Sequence, residues 1–163
     1  MLYRLFKPED SAALYAIEEV CFEPPHRFSR SYMRQLLRQA DAAKWIAEDA
    51  GQIRGFGIVE WAREGAGLVA YVQTLEVLPE ARGQGAGAEL LKRMDESATA
   101  AGAETVWLHV DAENRAAVRL YEKAGYEPRG NQQDYYGRGR AAIVYAKQLG
   151  GVRADRLPEA SRA

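Results

Sequence analysis

A run of glycines between a predicted strand and a predicted helix constrains the fold of this chain most strongly. Residues 68–78 are rich in β-branched and aromatic side chains and end at Pro79, a pattern typical of a strand. The segment 82–87 then reads Arg-Gly-Gln-Gly-Ala-Gly, and apolar residues follow at helical spacing, at Leu90, Leu91, Met94 and Ala98. This order places unpaired backbone N–H groups at a helix start, where the helix dipole is positive. Such a loop favours a phosphate or pyrophosphate ligand.

The glycine loop is also compatible with a plainer structure. The simplest is a glycine-rich turn without a ligand, which the loop alone does not exclude. A Walker loop is excluded because no Gly-Lys-Ser/Thr ends the segment. A dinucleotide-binding fold is disfavoured because the strand comes in mid-chain, after a predicted hairpin, and not at the head of a βαβ repeat.

The remaining pattern predicts one mixed α/β domain over residues 1–149. Further predicted strands cover 2–6, 44–49, 53–61, 105–110, 126–134 and 141–149. Predicted helices begin at Pro8, at the N-cap Ser29 and after Asn114. Their order favours a central sheet flanked by about four helices. The polar segment 150–163 is expected to be a disordered tail.

Composition excludes several classes of protein. The 163 residues and 18.1 kDa suit one domain with a sizeable core. Lys plus Arg total 22 and Asp plus Glu total 23, which argues against binding nucleic acid by bulk charge. No run approaches the roughly 18 apolar residues of a membrane helix, and residues 1–9 do not resemble a secretory signal. A cytoplasmic monomer or weak homodimer is expected.

No metal site is predicted. The single cysteine, Cys21, cannot form an internal disulfide or a cysteine-based zinc site. Neither of the two histidines, His26 and His109, lies in a sequence cluster of cysteine or carboxylate ligands. The chemistry is therefore expected from side chains without a bound metal ion.

Two motifs together resemble the GNAT (Gcn5-related N-acetyltransferase) family. The first is the strand and glycine loop, Leu75-Glu76-Val77-x-Pro79 followed by Arg82-x-x-Gly85-x-Gly87. The second is Asn114-x-x-Ala117-x-x-Leu120-Tyr121-x-x-x-Gly125-Tyr126. The resemblance covers about residues 1–149. It implies a mostly antiparallel sheet in which two parallel strands, through Leu75 and Trp107, splay apart at their C-terminal ends.

The resemblance also implies acetyl-CoA as the acetyl donor. Its pantetheine arm is expected to pair with the strand before the loop, and its pyrophosphate to lie on the loop. The implied cofactor-binding residues are Leu75, Glu76, Val77, Arg82, Gly83, Gln84, Gly85, Ala86, Gly87, Ala88, Asn114 and Tyr121. The Val77 amide is expected to polarise the thioester carbonyl. Asn114 equally fits a helix N-cap, and both roles can hold.

Three residues are the candidate catalytic groups. Tyr121 matches the family tyrosine that protonates the CoA thiolate, although its helical spacing alone also fits a core aromatic. His109 ends a predicted strand beside the splay, and imidazole changes charge near neutral pH. With Tyr71 it resembles the NatE-type subunit, whose matching Tyr and His act as a base through water. RimI-type enzymes, otherwise similar, carry Glu at the position of His109, and this difference bears on the ribosomal substrate.

Four aromatic or proline residues are the candidate acceptor-binding groups. Tyr135 and Tyr136 follow Asp134, as in the element that covers the substrate peptide in both subfamilies. Phe22 and Pro24 belong to a proline-containing segment that is expected to form the opposite wall. Hairpin aromatics without a ligand and an ordinary interhelix loop are the plainer interpretations of these two segments.

These observations predict an acetyl-CoA-dependent N-acetyltransferase. The predicted acceptor is a protein N-terminal α-amine, such as that of a ribosomal protein, which attacks directly in a ternary complex. The alternatives are a small-molecule amine or a Lys side chain as acceptor, and a silent acyl-CoA-binding domain. An open groove between Phe22 and Tyr136 would favour a peptide, and a closed cup would favour a metabolite.

Overall fold

Seven strands form one sheet in the computed structural model, which describes residues 1–150. The strands are β1 (Leu2–Leu5), β2 (Ala42–Asp49), β3 (Gln52–Glu64), β4 (Gly67–Val77), β5 (Thr105–Asp111), β6 (Glu127–Gln132) and β7 (Ala142–Gln148). The helices are α1 (Ser11–Cys21), α2 (Arg30–Arg38), α3 (Ala86–Ala101) and α4 (Arg115–Lys123). The strand order is β1-β2-β3-β4-β5-β7-β6. All of the predicted tail except Gly150 lies outside the described residues.

Hydrophobic clusters cover both faces of the sheet. Ile58 packs with residues of α1 and α2, whereas its neighbour Val59 packs with residues of α3. Successive strand side chains point to opposite faces, so these two helical layers lie on opposite sides. The apolar positions that predicted α3 are all buried, namely Leu90, Leu91, Met94 and Ala98. The predicted mixed α/β sheet with four helices is confirmed.

Local signals set several helix ends. The Ser29 Oγ accepts the Tyr32 N–H at 3.1 Å, and the Asn114 Oδ1 accepts the Ala117 N–H at 3.1 Å. These are the N-caps of α2 and α4, as predicted. Helix α3 ends at Gly102, whose φ of 104° is a left-handed conformation that favours glycine.

The central feature of the sheet is a gap between β4 and β5. These two strands are the parallel pair, and their pairing extends only from Val69 opposite Thr105 to Tyr71 opposite Trp107. Just beyond it, Gln73 is an extra residue in β4, because Ile58 of β3 pairs with Thr74 and Val59 pairs with Val72. A β-bulge bends its strand and re-aims it. The two strands therefore separate toward their C-terminal ends, as the sequence predicts.

Candidate active site

A cleft of about 1380 Å³ opens at this gap. Two loops wall it, the α1–α2 loop (residues 22–29) and the β6–β7 loop (residues 133–141). All seven predicted catalytic and acceptor-binding residues line the cleft together, with two more of the predicted cofactor-binding residues. They are Phe22, Pro24, Tyr71, Leu75, His109, Asn114, Tyr121, Tyr135 and Tyr136.

The backbone of β4 presents alternate amides to the gap. The Leu78 N–H donates to the Arg54 carbonyl at 2.8 Å, so Leu78 and Glu76 turn their backbone groups toward β3. The backbone N–H and C=O groups of Leu75 and Val77 point the opposite way, toward the gap. The Val77 carbonyl accepts from the Arg82 Nε at 2.8 Å and from the Cys21 Sγ at 3.6 Å. This strand edge is suited to an extended ligand that adds as a strand.

The glycine loop forms the start of α3 beside the C-terminal end of β4. Gly83 and Gly85 have φ values of 78° and 85°, and no atom lies within 4 Å of where a Cβ would stand at either. The Glu89 N–H makes the intrahelical bond to the Gly85 carbonyl at 3.0 Å. The amides of Ala86, Gly87 and Ala88 precede it and have no intrahelical acceptor. Open space therefore adjoins a set of donors that suits an anion, with the exposed Arg82 next to it.

The side chain of Glu76 lies away from the cleft. It is 2% exposed, and its Oε2 accepts the Thr74 hydroxyl proton at 2.6 Å. The alternation along β4 also turns its backbone toward β3. The sequence indicates Glu76 as a cofactor-binding residue, whereas the structure turns both its carboxyl group and its backbone away from the gap.

A chain of hydrogen bonds joins three side chains on the acceptor side of the gap. The Tyr71 hydroxyl lies 2.7 Å from His109 Nδ1, and His109 Nε2 lies 2.7 Å from Gln132 Oε1. The Gln132 oxygen can only accept, so this network assigns the imidazole proton to Nε2 and makes Nδ1 the acceptor for the Tyr71 O–H. Burial, reinforced by Tyr135, raises the pKa of Tyr71. The Tyr135 ring stacks on His109 with centroids 4.4 Å apart.

Tyr121 reaches the cleft from α4. It is 7% exposed and packs edge-on against Tyr126, with centroids 5.8 Å apart. Burial, and then the nearby Glu76, raises the pKa of Tyr121. The phenol therefore keeps its proton at neutral pH.

Sequence reasoning missed a second cluster at the other side of the cleft. His26 Nε2 lies 2.8 Å from Asp111 Oδ2, and the guanidinium of Arg140 binds the same oxygen. The His26 ring stacks on Tyr136 with centroids 4.4 Å apart. Burial alone would raise the pKa of Asp111, but hydrogen bonds from the Glu113 amide, His26 and Arg140 lower it overall. His26 therefore does have a carboxylate partner, one that is 85 residues distant in sequence.

This second cluster connects the two walls of the cleft. His26 belongs to the α1–α2 loop, and Tyr136 and Arg140 belong to the β6–β7 loop. A Cβ at Gly137 would also lie 3.8 Å from the Pro25 ring. The groove between Phe22 and Tyr136 is thus bridged beside the cleft and is not open along its whole length.

Two searches of the described residues bear on metals and membranes. Within residues 1–150, no group of three or more His, Cys, Asp or Glu side chains could hold a metal ion. None of the helices in that range is long and apolar enough to cross a membrane.

The splayed parallel strand pair, the glycine loop at a helix start and the tyrosine beside the gap are the features that the resemblance to N-acetyltransferases implies. The chain belongs to the Acetyltransferase (GNAT) family, whose sequence profile matches residues 11–126. The family resemblance of the two sequence motifs is therefore confirmed.

The names of similar proteins point to more than one kind of acceptor. Mycothiol acetyltransferase of Streptomyces griseus is 34% identical over 132 residues, which cover 76% of this chain and 42% of that protein. The chain thus spans about two fifths of the length of this relative. The ribosomal-protein-S18-alanine N-acetyltransferase of Escherichia coli has a TM-score of 0.79 at 24% identity, covering 91% of this chain and 93% of that one.

A second similar structure contains acetyl-CoA. Arabidopsis thaliana NAA60 in complex with acetyl-CoA has a TM-score of 0.80 at 20% identity, covering 92% of this chain and 99% of that one. At this identity the likeness establishes the fold alone.

Proposed function

We propose that this enzyme transfers the acetyl group of acetyl-CoA to a protein N-terminal α-amine. The observation that carries the proposal is the Tyr71–His109 pair, which faces the gap beneath the paired Tyr135 and Tyr136. A free α-amine has a pKa of about 8, against about 10.4 for Lys. Deprotonating the α-amine near neutral pH therefore costs roughly 3 kcal/mol less, and a histidine-based relay suffices.

The donor side of the site fits acetyl-CoA. The gap-facing amides and carbonyls of Leu75 and Val77 suit the pantetheine arm, and the amides at the start of α3 suit the pyrophosphate. Arg82 now donates to the Val77 carbonyl and must release it if the arm pairs there. Asn114 keeps its N-cap bond while lining the cleft, so the two roles predicted for it are compatible.

Proton transfer from the acceptor follows the direction of the hydrogen bonds. As the amine nitrogen attacks the thioester carbon, its proton passes to the Tyr71 oxygen, directly or through water. Tyr71 gives its own proton to His109 Nδ1, so the tyrosine ends unchanged and the imidazole carries the charge. Gln132 stabilises this imidazolium by accepting from Nε2.

The leaving thiolate needs a proton, and Tyr121 is the proposed donor. Its pKa is raised by burial and Glu76, so it is protonated when the C–S bond breaks. The amide of Val77 is the proposed donor to the thioester oxygen, where negative charge develops in the transition state.

A small-molecule amine is a second candidate acceptor. The contact of His26 with Tyr136 bridges the two walls, and a bridged cleft favours a compact acceptor. The likeness to mycothiol acetyltransferase points the same way.

A substrate panel distinguishes the acceptors. The protein would be incubated with acetyl-CoA and peptides of varied first residue, peptides with a blocked N-terminus and an internal Lys, and small primary amines. Mass spectrometry would locate the acetyl group. Acetylation of free N-termini supports the proposal; turnover of small amines with no peptide product refutes it in favour of the second candidate. Acetyl-CoA binding without turnover of any acceptor would indicate a silent domain.

A further inference from the structure

Two carboxyl groups are buried against each other below the cleft. Glu18 of α1 is 3% exposed and Glu76 of β4 is 2% exposed. One oxygen of each is occupied, since Glu18 Oε2 accepts the Phe28 N–H at 2.9 Å and Glu76 Oε2 accepts the Thr74 hydroxyl proton. The other two, Glu18 Oε1 and Glu76 Oε1, are buried without a donor. Helix α1 brings Glu18 close to Glu76: Cys21, one helical turn after Glu18, donates its thiol proton to the carbonyl of Val77, the residue after Glu76.

Two ionised carboxylates cannot remain in this position without large cost. Each would be desolvated, and each would repel the other at short distance. A single proton held between them removes the repulsion and supplies both orphan oxygens with a partner. Burial, and then the neighbouring Glu18, raises the pKa of Glu76 in the same sense.

The buried or half-buried titratable side chains around the pair are uncharged. On α1, the Cys21 thiol is neutral because burial, and then Glu76, raises its pKa to about 11. On α4, Tyr121 keeps its phenolic proton. After β4, the exposed Arg82 reaches Cys21, with Nη2 3.8 Å from Sγ, and binds the Val77 carbonyl through Nε. Within residues 1–150, the hydrogen-bond partners of the two carboxyl groups include no cation.

We infer that Glu76 keeps a proton, donates it to Glu18, and thereby positions the α1–α2 loop against the gap-forming part of β4. Glu18 holds the Phe28 end of the loop, and Glu76 flanks Thr74 and Leu75 at the gap. Both are positioning residues, because neither contacts the reacting atoms. When rising pH removes the proton, the carboxylates repel, the Phe28 bond weakens and the loop loosens. The shared proton does not depend on the proposed function. Only the expected effect on acceptor binding rests on it, because there the α1–α2 loop is taken as the wall of the acceptor site.

Glu76→Gln tests the shared proton without any acceptor. The amide keeps the shape, donates to Glu18 Oε1 and accepts from Thr74, but cannot titrate. Above about pH 5.5 a glutamate in the unfolded chain is ionised, so the wild type releases the shared proton when it unfolds. The equilibrium constant for unfolding should therefore rise with pH more steeply in the wild type than in the variant, by up to ten-fold per pH unit. Glu18→Gln should flatten the dependence in part, because Glu76 stays buried but loses the repulsion of Glu18, and this variant covers failure of the first to fold. Glu19→Gln, an exposed neighbour on α1, should follow the wild type. Parallel curves for wild type and both amide variants would overturn the inference.

Positioning is tested by the Phe28 amide and by kinetics. The Phe28 amide should lose protection from hydrogen exchange as pH rises, and it should do so more steeply in the wild type than in Glu76→Gln. The comparison is made after correction for the ordinary rise of exchange rates with pH, which both proteins share. In turnover, the acceptor KM should rise several-fold at alkaline pH in the wild type and stay level in the variant. Equal pH dependence of Phe28 protection in both proteins would overturn the positioning role. If no peptide is acetylated and the exchange difference persists, the proposed acceptor is wrong and the carboxyl pair stands.

Discussion

The two histidines of this chain stack on two adjacent tyrosines, yet their surroundings differ. His109 stacks on Tyr135 and His26 stacks on Tyr136, each with centroids 4.4 Å apart and nearly parallel rings. His109 bonds neutral partners, a tyrosine hydroxyl and a glutamine carbonyl. His26 bonds Asp111, a carboxylate that Arg140 also binds.

The difference shows that ring stacking does not determine the role of a histidine here. His109 has one nitrogen that accepts from Tyr71, so a proton can arrive there from the gap. The Nε2 of His26 faces a carboxylate that is already engaged by a cation, and the contact ties two loops together. We therefore expect the first stack to act in proton transfer and the second to hold the cleft in shape.

The largest expected effect separates the two histidines. His109→Ala should lower kcat by about 10²-fold or more, because it removes the acceptor for the Tyr71 proton. The acidic limb of the pH–rate profile should disappear with it. Steady-state kinetics across pH 5–9 measures both. A profile identical to that of the wild type would clear His109 of the role of base.

Tyr121→Phe should lower kcat by about 10²-fold, with little change in the KM for acetyl-CoA, since only the proton for the thiolate is lost. Tyr15→Phe, at a half-buried position on α1, is the control and should be silent. An unchanged rate in Tyr121→Phe would reject this residue as the acid.

His26→Ala should act mainly on acceptor binding. Loss of the stack and of the Asp111 bond frees the α1–α2 loop from Tyr136, so the acceptor KM should rise about ten-fold, a loss of roughly 1.4 kcal/mol. The kcat should change by less than a factor of a few. His26→Phe keeps the ring and removes the hydrogen bond, and it separates the two contributions. A fall in kcat matching that of His109→Ala would break the comparison.

The smallest effect concerns pH-dependent stability at Asp111. Its pKa is lowered in the folded state, so its stabilisation is present above the ordinary Asp value of about 3.9 and lost as pH falls through the lower folded value. Asp111→Asn should cost about 1 kcal/mol at pH 7, because Arg140 is half exposed and its pairing is screened. The deficit should shrink toward pH 3 in thermal unfolding. A constant deficit would show that the hydrogen bonds matter and the charge does not.

Local patterns predicted the elements and one half of the cleft. Ser29, Asn114 and Gly102 determine helix ends through neighbours within a few residues, which a sequence displays directly. The gap followed from the motifs around Leu75 and Tyr121. The chemical steps assigned to those residues stay predictions for the kinetic experiments.

The missed half depends on long-range contacts. His26 meets Asp111 across 85 residues, and Gln132 reaches His109 through the pairing of β6 with β7 and of β7 with β5. Neither contact produces a periodic pattern in the sequence. Asp111 does end a strand at the splay, and that position was the one available clue. The carboxyl pair of Glu18 and Glu76 joins two elements in the same way.

The bulge at Gln73 makes the site sensitive to the number of residues in β4. Substituting Gln73 would change only its side-chain bonds to Tyr32 and Glu60. Deleting it would let Val72 and Thr74 pair with Val59 and Ile58 without interruption, and would remove the bend that turns β4 away from β5. The gap that receives the ligand would then narrow, although every other residue of β4 kept its partner on β3. Across natural variation, insertions and deletions here should be tolerated far less than changes of residue type.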